Sequence, residues 1–127
     1  MELLLQRQLE NDGFPLYNRS MDDEKIARIL RDLRAELEQR LGDRLAAVYL
    51  YGSRARGDAR PDSDIDVLIV LRGEFDYFKT LDQISDLAWI LSLENDVVIA
   101  QVLVSEEKYS QSDTPFLMNV HREAVLV

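Results

Sequence analysis

The chain has 127 residues, 46 % of them hydrophobic, with 24 acidic against 15 basic side chains and a net charge of −9; it is long enough for one core, not two, and too apolar to be disordered. Cysteine is absent and histidine occurs once, which excludes disulfides, thiolate metal sites and multi-histidine zinc centres. The acidic balance disfavours direct binding of bulk nucleic acid, and no apolar run approaches the ~20 residues that span a bilayer.

Residues 1–20 read as an N-terminal arm, with Leu3, Leu4, Leu5 and Leu9 forming a short stripe that Asp12-Gly13 and Pro15 interrupt. The start is too brief and too quickly polar for a signal peptide, so a cytoplasmic protein without membrane attachment is expected. Residues 21–127 read as the folded domain. Ser20 and Asp22-Asp23-Glu24 mark a helix start. Ile26, Ile29, Leu30, Leu33, Leu37 and Leu41 follow on one face, and Gly42 ends the helix.

Leu45 to Tyr51 predicts a strand, Gly52 to Ser63 a loop, and Asp64 to Leu71 a second strand apolar enough to be central. Phe78, Leu81, Ile84, Leu87, Ala88 and Leu91 predict an amphipathic helix with Trp89 at the margin of its apolar face. A strand is expected over Asp96–Val104. Ser105-Glu106-Glu107 then opens a helical stretch, Pro115 opens another through Glu123, and Ala124–Val127 closes on a short strand. This order is α+β, or α/β-like: a small mixed sheet flanked by helices.

Chemistry concentrates between Tyr49 and Val70. Asp64 and Asp66 are two apart, so on a strand they share a face with ~6.5 Å between α-carbons. Their mutual repulsion is relieved by a cation, and an oxygen-only site favours Mg²⁺, Mn²⁺ or Ca²⁺. Taken alone, the pair also describes two acids in a solvated turn. Gly52-Ser53 follows the first strand, where a glycine lets phosphate approach the backbone and the Ser53 hydroxyl adds a donor; alone it is also an ordinary tight turn. Arg54 and Arg56 either contact phosphate or pair with Asp58 and Asp62 to fix the loop. Ser63 orders the turn. Tyr49 and Tyr51 face away from the core side of their strand and pack under helices, and His121 is a surface residue without catalytic duty. A calcium loop starting at Asp62 fails, because Val67 and Gly73 stand where glycine and glutamate are required.

Joined together, the run Gly52-Ser53-Arg54-Ala55-Arg56-Gly57 and the run Ser63-Asp64-Ile65-Asp66 resemble the minimal nucleotidyltransferase branch of the DNA polymerase beta superfamily. The resemblance is clear from about Leu45 to Val70 and looser to Val104. It implies that Gly52 and Ser53 hold nucleotide phosphates and that Asp64 and Asp66 bind Mg²⁺. It also implies a third carboxylate on a neighbouring strand, serving as general base and metal ligand. Asp96, ahead of Val97-Val98-Ile99, fits that place best although Asn95 precedes it; Glu94 is the alternative, and Asp96 also reads as a plain strand start. Chains of this size in the family resemble antitoxins paired with a HEPN-type RNase toxin, which implies transfer of AMP from ATP to the toxin. The acidic surface suits a basic partner. Two rivals are an antitoxin acting by contact alone and a transferase acting on a small molecule or RNA.

Overall fold

The structure, a computed structural model, describes residues 21–127; the N-terminal arm and the Ser20 cap lie outside them. The elements are α1 (Met21–Leu41), a 3₁₀ turn (Gly42–Arg44), β1 (Leu45–Tyr51), α2 (Ser53–Arg56), β2 (Ile65–Leu71), α3 (Tyr77–Asn95), β3 (Ile99–Ser105), α4 (Glu106–Gln111), α5 (Pro115–Glu123) and β4 (Val125–Leu126). The expected α+β architecture is present. One sheet carries the order β3-β2-β1-β4. β1 runs antiparallel to both β2 and β4, whereas β2 and β3 are parallel and joined by the α3 crossover.

Alternation along the strands sorts side chains into two layers. Val48 and Leu50 of β1, Ile65, Val67, Ile69 and Leu71 of β2, and Ile99 and Leu103 of β3 face the large core. α1 covers it with the six-residue stripe read from the sequence, each member at most 4 % exposed. α3 contributes Ile84, Leu87, Ala88 and Leu91. Each buried leucine or isoleucine stabilises this layer by about 1.5–3 kcal/mol of transfer free energy. The opposite face holds Leu68, Val70 and Val120, with Tyr49, Tyr51, Val102, Val104 and Tyr109 packed around them. Here α4 and α5 lie over the sheet. Tyr49 stacks on Tyr109 at 5.0 Å between ring centroids, and Tyr51 meets Phe116 edge-on at 5.4 Å.

The helix boundaries follow local chemistry. Gly42 takes φ +56°, the conformation glycine adopts cheaply. Asp76, Ser105 and Thr114 each accept a backbone N–H in the first turn of α3, α4 and α5. One detail of α3 differs from expectation. Phe78 is 77 % exposed and does not join the core; Trp89, expected at the margin, is 66 % exposed. No helix among the described residues is long and apolar enough to cross a membrane.

Candidate active site

The site begins where β1 ends. Gly52 has φ +76° and ψ −158°, a region essentially closed to residues with a β-carbon. A β-carbon placed there would lie 2.3 Å from Asp66 Oδ2. The glycine is therefore required twice, once by its own backbone and once by the carboxylate packed against it. The Gly52 carbonyl then accepts from Ala55 N–H at 3.1 Å and Arg56 N–H at 3.0 Å, which folds Ser53–Arg56 into the single turn of α2.

The arginines of this turn take different parts. Arg54 is 5 % exposed. Its Nη2 donates to the carbonyls of Pro61 at 3.2 Å and Ser63 at 3.1 Å. Of the two parts expected of Arg54, the loop-fixing one is the one seen, although through carbonyls rather than Asp58 or Asp62, and its Nε is buried without a hydrogen-bond partner among the described residues. Arg56 is exposed and donates to Asp58 at 3.3 Å and to Glu123 at 2.9 Å. Ser63 orders the turn as expected, its Oγ accepting from Arg60 N–H at 2.8 Å.

Asp64 lies exposed just before β2, and Asp66 is half-buried on it, opposite Tyr51 of β1. Burial pushes the Asp66 carboxyl above its ordinary range, and the charges of Asp64 and Glu123 push it further against the opposing pull of Arg56. Burial likewise raises the Tyr51 hydroxyl, with Asp66 and Glu123 adding to it. Asp66 thus meets more negative charge than Arg56 offsets, and a divalent cation would supply what is missing. Mg²⁺ needs only one or two protein carboxylates when substrate phosphates complete its shell, so Asp64 and Asp66 fit such an ion.

The expected strand start at Asp96 is corrected. Asp96 does not open a strand. It is the left-handed C-cap of α3, at φ 53° and ψ 50°, and β3 starts three residues later at Ile99. Helix α3 packs on the core layer, while Asp66 belongs to the opposite face. The alternative, Glu94, is exposed on that same helix. Opposite Asp66 on β3 stands Ala100. Among the described residues no three Asp, Glu, His or Cys side chains form a group able to hold a metal.

One acid near the site went unread in the sequence. Glu123 ends α5, and its Oε1 accepts the Gly52 N–H at 3.1 Å while Oε2 accepts Arg56 Nη1. It arrives because β4 pairs Val125 with Leu50 of β1, which carries the preceding residues toward Gly52. No local motif announces such a position. His121, as expected, is exposed. It stacks on Tyr109, and its Nε2 lies 2.6 Å from the Tyr109 carbonyl, which makes that nitrogen the donor.

Two proteins of Methanocaldococcus jannaschii, each named as a candidate protein adenylyltransferase, are similar to the chain. One is 34 % identical over 79 residues, covering 62 % of this chain and 79 % of that protein. The other is 35 % identical over 91 residues, covering 72 % and 82 %. A crystal structure of a candidate nucleotidyltransferase from Sulfolobus solfataricus shares the fold, with a TM-score of 0.61 and 22 % identity over 83 % of this chain and 81 % of that one. A family model described as the nucleotidyltransferase domain matches residues 30–126, a span that runs from within α1 to β4 and includes the whole acid-and-turn site, and the chain belongs to that family.

Proposed function

We propose that this nucleotidyltransferase is a divalent-cation-dependent protein adenylyltransferase that uses ATP and both modifies and binds a HEPN-type toxin. The observation that carries the reading is the seating of the Asp66 carboxylate against Gly52. It joins the acid pair to the glycine-serine turn as one site. On this reading Gly52, Ser53 and Arg56 receive the phosphates, and Asp64 and Asp66 hold Mg²⁺ or Mn²⁺, which neutralises charge on the transferring phosphate when bound. An acceptor hydroxyl attacks the α-phosphorus, the bond to the bridging oxygen breaks, and pyrophosphate departs. With Asp96 capping α3 rather than lying on a strand beside Asp66, this reading leaves the hydroxyl proton to Asp64 or Asp66. The chain's contribution is positioning and charge compensation.

The names carried by the archaeal relatives support a protein acceptor. The toxin partner rests on the motif resemblance and on the acidic surface. The test is transfer of label from ATP carrying ³²P at the α position, with the full chain and its toxin together in Mg²⁺. Label on the toxin, abolished by Asp64→Ala and by chelation, is expected. An active complex in which the toxin stays unlabelled sinks the modification claim and leaves neutralisation by contact.

A further inference from the structure

Glu123 has no part in the chemistry just described, yet it holds two of its donors. Its Oε1 takes the Gly52 N–H at 3.1 Å and its Oε2 takes Arg56 Nη1 at 2.9 Å. The Glu123 side chain is 19 % exposed, against 47 % for Arg56. A carboxylate and a phosphate make the same demand on such donors: short, charge-assisted hydrogen bonds to anionic oxygen. The Gly52 N–H has one hydrogen to give, so it cannot serve both fully.

From this we infer that Glu123 is a stand-in anion: it occupies the Gly52 N–H and Arg56 in the nucleotide-free chain and yields them to the triphosphate. The inference rests on the reading of Gly52 and Arg56 as phosphate donors. Three features make the exchange feasible. Glu123 closes α5, the negative end of the helix dipole, where an acid is poorly placed. Glu123 stands two residues ahead of β4, so its side chain can turn away while Val125, Leu126 and Val127 stay bonded to β1. Arg56 keeps a second partner, Asp58 at 3.3 Å, so it stays beside the turn when Glu123 leaves. A tether would behave in the opposite sense: it would hold the turn ready, and its loss would weaken binding.

Calorimetric titration of the full chain with inorganic triphosphate, and with ATP, in Mg²⁺ buffer distinguishes these. If Glu123 fills the donors about nine-tenths of the time, Glu123→Ala binds inorganic triphosphate about tenfold tighter. Glu123→Gln loses the charge but keeps an acceptor for the Gly52 N–H, and its gain falls between. Equal gains from both variants mean simple charge repulsion and overturn the exchange. So does unchanged or weaker binding by the alanine variant. A readout needing no substitution is the ¹³C resonance of the Glu123 carboxyl, which shifts together with the Gly52 amide as triphosphate saturates the chain. A carboxyl signal that stays still at saturation overturns the inference. Where wild type binds but neither variant binds tighter, the inference alone fails; where neither ligand binds wild type or variants, the phosphate reading falls with it.

Discussion

The two faces of the sheet are built from the same strands yet serve different ends. On β2 the odd residues, Ile65, Val67, Ile69 and Leu71, are at most 1 % exposed and close the core under α1 and α3. The even residues begin with Asp66, pushed toward protonation by its burial, and only then continue into Leu68 and Val70. A seven-residue strand thus carries stability on one side and reactive charge on the other. The lesson is that alternation separates the two functions at the scale of one residue. Lesions on the core face should lower the amount of folded protein, and lesions on the site face should lower turnover per folded molecule.

The sharpest way to test that separation is Asp66→Asn. Transfer should fall about 10³-fold, the scale at which removal of a preorganised electrostatic group is felt. Thermal stability should hold or rise slightly. The sign follows from linkage: an acid whose folded pKa is raised destabilises the fold while ionised, and that cost fades as pH falls through the raised value. The advantage of the variant in Tm should therefore shrink on acidification, which thermal melts across pH will show. Next in size is Leu33→Ala on α1, 0 % exposed in the core. It should cost about 3 kcal/mol in denaturant unfolding while leaving turnover per folded molecule intact. A matching drop in turnover would break the comparison.

Gly52→Ala sits on the seam between the faces. It should cost about 1–3 kcal/mol of backbone strain and also displace Asp66, so both unfolding and transfer assays should register it. Smallest is Asp96→Asn. Asparagine tolerates the left-handed cap as aspartate does, and the residue ends a helix rather than lying on a strand beside Asp66. Transfer should change less than twofold. A loss on the scale of Asp66→Asn would restore Asp96 to the chemistry and show that the sheet does not insulate its two sides.

Much of this was legible before any coordinates. The stripe from Ile26 to Leu41, the strand pair around the Gly-Ser and Asp-x-Asp runs, and the tyrosines under α4 and α5 follow from periodicity and turn chemistry alone. Asp96 misled because an aspartate ahead of Val97-Val98-Ile99 looks like the head of a strand. Asn and Asp also end helices in the left-handed region, and here that local preference won, leaving Val98 57 % exposed before the ladder begins. Arg54 misled because charge was read as reach. Its burial and the carbonyls of Pro61 and Ser63 make a clamp of it, and only the folded loop reveals them. Glu123 was invisible because its place depends on which strand β4 joins, a long-range pairing with no mark in neighbouring residues.

The outward turn of Trp89 has a practical side. It is the chain's sole tryptophan, and it lies exposed on the helix that backs the core face. Its emission is consequently a one-channel optical probe, blue-shifting whenever another surface shields that helix from water.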